Sequence, residues 1–148
     1  MLIVAHAQAR HATAEAAVRA LAAELASRGA VRPTFADAVL AREALSPTGL
    51  PLPTGAVALP HADPEQVLAP ALGVATLAAP VPFRQMGSPE IALDVRLVLL
   101  LALPTREDAQ RTLVAALGAL RDPATARRLA AAADDRALAS ALESSWTS

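Results

Sequence analysis

The sequence predicts an α/β fold: a single domain, residues 1–148, with a mixed β-sheet flanked by α-helices on both sides. Three observations carry that expectation. Two helix-like stretches open the chain, strand-like segments occupy its middle, and helix-like stretches close it. The run Leu97-Val98-Leu99-Leu100-Leu101-Ala102-Leu103 is apolar without interruption, which suits a central strand covered on both faces. A length of 148 residues suits one hydrophobic core, and neither an internal repeat nor a linker divides it.

The elements follow from local signals. Residues 12–28 read as an amphipathic helix, with Val18, Leu21 and Leu25 on one face and Glu15, Arg19 and Glu24 elsewhere; Gly29 ends it. Thr34 followed by Asp37 resembles a capping box opening a second helix through Phe35, Val39, Leu40 and Arg42, which stops near Ser46-Pro47. Residues 46–55 hold three prolines and two glycines and predict a rigid loop. Strands are expected over 56–59, 71–79 and 93–103, and the proline-bearing stretch 80–87 as an edge strand or loop. Thr105 with Asp108 marks another helix start, with Leu113, Leu117 and Leu120 on one stripe. Asp122-Pro123 starts the next helix, in which Leu129 faces inward, and Asp134 or Asp135 starts a last one bearing Leu138 and Leu142.

Composition narrows the function. With 13 basic and 14 acidic residues interleaved and a formal net charge of −1, there is no broad basic field for nucleic acid phosphates. Aromatic residues are 2%, so stacking platforms for single strands are missing as well. The chain has no cysteine, which excludes thiolate nucleophiles and cysteine-ligated zinc. The hydrophobic 54% is mostly dispersed alanine, with no run long enough for direct membrane insertion. The apolar start, Met1 to Ala5, is too short for a secretory signal, so a cytoplasmic location is expected.

Of three histidines, His61 alone sits where a strand leaves the core for an irregular segment. Pro60 fixes its own backbone and biases Leu59 toward extended geometry, so the imidazole is aimed by a stiff frame. That placement suits a nucleophile; it equally suits a histidine that caps a loop. His6 and His11 lack acidic neighbours at metal-ligand spacing and read as structural or exposed.

The string Val57-Ala58-Leu59-Pro60-His61-Ala62, preceded by Ala41-Arg42-Glu43-Ala44-Leu45-Ser46-Pro47-Thr48-Gly49, resembles the fructose/mannitol/galactitol class of enzyme IIA of the bacterial phosphoenolpyruvate-dependent sugar phosphotransferase system. The segment Val81-Pro82-Phe83-Arg84-Gln85-Met86-Gly87 resembles galactitol-type members, and the likeness covers about residues 30–122. The resemblance implies that His61 accepts a phosphoryl group from the phosphocarrier protein HPr and passes it to a cysteine of a cognate IIB domain, with no metal or small cofactor. Many fructose- and mannitol-type members carry a second histidine at the start of the helix after the central strand, where this chain has Ala109-Gln110-Arg111. Gln110 is then either a hydrogen-bonding substitute or a solvated first-turn residue. Arg42 matches an arginine shared by many members and either pairs with phosphate or forms an ion pair with Glu43 or Asp37. Thr48 and Thr54 either donate to phosphate or stabilise turns, and Asp63 either tunes the approach to His61 or starts the turn at Pro64. A regulatory IIA-like module, acting by phosphorylation-dependent protein binding, is the competing reading of the same histidine.

Overall fold

The computed structural model describes residues 1–146. Its strands are β1 (Leu2–Ala9), β2 (Gly49–Leu52), β3 (Gly55–Ala58), β4 (Ala71–Gln85) and β5 (Ser88–Ala102). Its helices are α1 (Ala14–Ser27), α2 (Phe35–Leu45), α3 (Arg106–Arg121), α4 (Pro123–Ala131) and α5 (Asp135–Trp146). β4 and β5 form a long antiparallel hairpin. β1 lies parallel outside the first half of β4, and β3 parallel outside β5 through Val57 with Leu97 and Ala58 with Val98. β2 pairs antiparallel with β3 and also meets the far end of β4 where Gly49 faces Gln85. Parallel and antiparallel ladders therefore share one five-stranded sheet.

Both faces of the sheet are covered, which is why β5 carries no polar alternation near its end. Val98, Leu100 and Ala102 face α1 and α2, packing with Val18, Leu21, Leu25, Phe35 and Val39. Leu99 and Leu101 face the other way, with Leu120, Leu129, Leu138 and Leu142 from α3, α4 and α5. The helix signals hold at most ends. Gly29 takes φ +76° behind α1, Thr105 accepts the Asp108 N–H at α3, Asp122 accepts the Thr125 N–H at α4, and Asp134 accepts the Ala137 N–H before α5.

The structure adds one element and changes two expectations. Leu2–Ala9 is a full strand where the sequence reading assigned none; its pattern was obscured by a register shift between His6 and Ala9, where Gln8 takes φ 53°. The rigid loop over 46–55 contains strand β2, because Pro51 sits on an edge where its missing N–H costs no ladder bond. Of the two readings offered for 80–87, the strand holds for 80–85, which continue β4, with the turn at Met86-Gly87. Between Thr76 and Val81 the β4–β5 register shifts, which leaves Pro80 in the bulge and bends the hairpin. Thr34 makes no side-chain cap: its hydroxyl donates to Gln66 Oε1 at 2.8 Å, and Asp37 pairs with Arg19 at 3.0 Å instead.

Candidate functional site

His61 sits just past β3, on a segment tied to the C-terminal end of β5. Leu101 N–H donates to the Pro60 carbonyl at 3.0 Å, and His61 itself bridges Leu101. Leu59 and Pro60 are buried, the imidazole is half-buried, and Ala62 and Asp63 run outward into the 3-10 turn Pro64–Gln66. Strand, proline and bridge thus fix the backbone that carries the ring.

The ring is fixed as well. Nδ1 lies 3.0 Å from the Leu59 carbonyl oxygen, an acceptor without a proton of its own, so a neutral imidazole places its proton on Nδ1 and its lone pair on Nε2. Nε2 is the nitrogen left for chemistry. His61 lines a cleft of about 270 Å³ together with Arg42, Asp63, Leu101, Arg106 and Gln110, among others. The fold therefore brings together three of the residues singled out in the sequence, Arg42, His61 and Gln110, from α2, the β3 exit and the first turns of α3.

Arg42 reaches across to Asp63, Nη1 to Oδ1 at 3.4 Å, with both side chains about half exposed; its partner is neither Glu43 nor Asp37. Such a pair holds loosely and leaves most guanidinium donors free. Thr48 is not in the cleft. It is 3% exposed, its hydroxyl proton goes to Glu43 Oε1 at 2.8 Å, and its oxygen accepts the Leu59 N–H at 3.2 Å. Thr54 is remote, donating to the Leu120 carbonyl at the end of α3 at 2.7 Å.

Two residues escaped the sequence reading. Arg106, the first residue of α3, lines the cleft and has no carboxylate partner among the described residues. Its position one residue after a capping threonine was the available signal. Glu43 turns inward beneath the site, where its Oε2 accepts the Thr48 N–H at 2.9 Å. Burial pushes its carboxyl above the ordinary value, while the bonds from Thr48 and the charge field of His61 pull the other way. Nothing in the spacing of Glu43 separates it from a solvated helix residue.

A larger crevice of about 380 Å³, between Gln8, Thr76, Asp94, Arg96 and the α3–α4 corner, holds no histidine and does not include His61. No described helix is long and apolar enough to cross a membrane.

A mixed sheet between two helical layers, with one oriented imidazole at a strand exit beside two arginines, defines a histidine-presenting α/β domain. The chain belongs to the family described as "Phosphoenolpyruvate-dependent sugar phosphotransferase system, EIIA 2", whose pattern matches residues 3–145, and is thus a phosphotransferase-system component. It is 39% identical over 101 residues to the 2-O-alpha-mannosyl-D-glycerate-specific EIIABC component of Escherichia coli; the match takes in 67% of this chain but 14% of that much longer protein. Its fold matches the IIA protein in the Escherichia coli complex of enzyme IIA-mannitol with phosphorylated enzyme IIB-mannitol, at TM-score 0.75 and 26% identity, over 95% of this chain and 94% of the other. It also matches the crystal structure of IIA-mannitol from Escherichia coli at TM-score 0.70 and 26% identity, over 93% and 94% of the two chains.

Proposed function

We propose that the chain is a cytoplasmic histidine phosphocarrier of a bacterial sugar phosphotransferase system, loaded by HPr and emptied by a cysteine of a IIB domain. The Leu59 carbonyl bond to Nδ1 carries this reading, because it leaves the Nε2 lone pair free on a ring that lines the cleft. In loading, Nε2 attacks phosphorus, the new N–P bond forms, and the donor's own bond to phosphorus breaks. In unloading, the IIB thiolate attacks the same phosphorus, an S–P bond forms, and Nε2 recovers its lone pair. The Nδ1 proton stays in place throughout.

The surroundings suit a group that must be both gained and lost. Arg42 and Arg106 offer donors to phosphoryl oxygens, and the first amides of α3 add the positive end of a helix dipole. Both guanidinium groups stay accessible to solvent, so the phosphoryl group is held without being trapped. Gln110 presents an amide where many fructose- and mannitol-type members have a second histidine, and Thr48 supports the frame from below. The Escherichia coli mannitol complex joins a IIA to a phosphorylated IIB, and this likeness supports a IIB domain as partner.

Incubation with phosphoenolpyruvate, enzyme I and HPr tests the assignment. Wild type takes acid-labile, alkali-stable phosphate and His61→Ala takes none; equal labelling of both rejects it. The likeness of residues 81–87 to galactitol-type members supports a galactitol-like subtype. A galactitol IIB then drains the label faster than a mannitol IIB, and the reverse order removes the subtype.

A further inference from the structure

We propose that Glu43 is a positioning residue for His61, its carboxylate acting through Thr48 and the backbone of Leu59 to hold the imidazole proton on Nδ1 and to balance the charge the ring gains as Nε2 attacks phosphorus. The second half rests on the phosphocarrier reading; the first half stands without it.

The connection is continuous. Glu43 accepts both the N–H and the hydroxyl of Thr48, at 2.9 Å and 2.8 Å. Thr48 Oγ1 accepts the Leu59 N–H at 3.2 Å, and the Leu59 carbonyl accepts the His61 Nδ1–H at 3.0 Å. Residues on either side of Leu59 are held too, since Ala58 pairs with Val98 in the sheet and the Pro60 carbonyl accepts the Leu101 N–H. The acceptor that sets the tautomer is therefore itself fixed by a carboxylate one layer down.

Stability does not account for this carboxylate. Among the described residues no arginine pairs with Glu43; its sequence neighbour Arg42 turns outward to Asp63. A mostly buried carboxylate without a cationic partner costs folding free energy, and its raised proton affinity reports that cost. His61 is the ionisable group whose positive charge, where it gains one, favours the Glu43 carboxylate. An imidazole attacking phosphorus becomes more positive, and a fixed carboxylate behind the Nδ1 side offsets that charge, as the aspartate carboxylate does in a catalytic triad. Partners that orient a metal-bound imidazole typically contribute roughly 10- to 100-fold to activity, and an effect on the same scale is expected for this attacking one.

Glu43→Gln separates charge from scaffold: the amide oxygen can accept the Thr48 N–H while its NH2 donates to Oγ1, so the turn survives. Two readouts decide. In 15N NMR of the isolated protein, neutral His61 in wild type carries its proton on Nδ1, and Glu43→Gln moves population to the Nε2–H form. In transfer from phosphorylated HPr, Glu43→Gln lowers kcat by roughly 10- to 100-fold with KM little changed. A folded Glu43→Gln protein with wild-type tautomer and wild-type kcat overturns the proposal, because a purely structural role predicts that outcome. Thr48→Val, which cuts the path at Oγ1, carries the test if Glu43→Gln does not fold; a wild-type tautomer in that variant overturns it equally. Were wild type to show the Nδ1–H ring and the tautomer change yet never take phosphate, the positioning role would stand and the phosphocarrier reading would fall.

Discussion

Gly49→Ala probes how tightly the site is bound to the sheet. Gly49 is buried at the start of β2, one residue after Thr48, with its carbonyl accepting the Met86 N–H at 2.8 Å. A Cβ there would stand 2.5 Å from the Arg84 carbonyl oxygen, 3.2 Å from that carbonyl's carbon and 3.4 Å from Leu93 Cδ1. Ordinary C···O contacts begin at roughly 3.3 Å, so the two backbones must part by about 0.8 Å. The obstructing atom is main chain and cannot swing aside. Overpacking of this kind costs roughly 1–3 kcal/mol, and about 2 kcal/mol is a fair central value. For a chain of this size that lowers Tm by roughly 4–8 °C. Because Thr48 moves with Gly49, transfer to His61 slows as well. Thermal melts followed by circular dichroism read the first effect and the HPr transfer assay the second; a Tm within about 1 °C of wild type refutes the packing argument.

Other expectations follow from the cleft. Arg42→Ala leaves Tm almost unchanged, because its half-exposed pair with Asp63 contributes about 1 kcal/mol or less. It slows phosphoryl transfer about tenfold, the equivalent of one charged hydrogen bond of roughly 1.5 kcal/mol; an unaltered rate removes Arg42 from the site. Gln110→Ala, on the exposed first turns of α3, slows transfer without unfolding the protein, and a wild-type rate would assign Gln110 to solvent. Glu43 gives a pH signature. Its folded carboxyl holds a proton more tightly than the ordinary value of 4.5, so its contribution to stability is fully present below 4.5 and is lost as pH rises through the raised value. Urea titrations should therefore show wild type gaining on Glu43→Gln as pH falls from 7 to 4; a difference that stays flat or moves the other way contradicts the burial argument.

The sequence displayed the scaffold where one signal dominated. The apolar run ending β5 could only be a doubly covered strand, and Asp122-Pro123 and Thr105 cap helices by side-chain bonds that need no tertiary context. Strands whose identity depends on partners were hidden. β1 is an edge strand with a shifted register, and β2 carries a proline that only an edge position tolerates. Thr34 and Asp37 had the spacing of a cap, but Gln66 and Arg19, both distant in sequence, offered better partners. The site divides in the same way. Pro60-His61 announced a presented imidazole, and Arg42 and Gln110 do meet it in the cleft. What orients the ring was not legible, because the acceptor is a backbone carbonyl and the carboxylate behind it lies 18 residues upstream, linked only through folded contacts.

The position of the phosphoryl group on the ring tests the account most directly. The protein is labelled with 15N histidine, phosphorylated through HPr, and its 15N–31P coupling read by NMR. The geometry requires phosphorus on Nε2 of His61 with the proton still on Nδ1. Phosphorus on Nδ1, or on any other side chain, would contradict it.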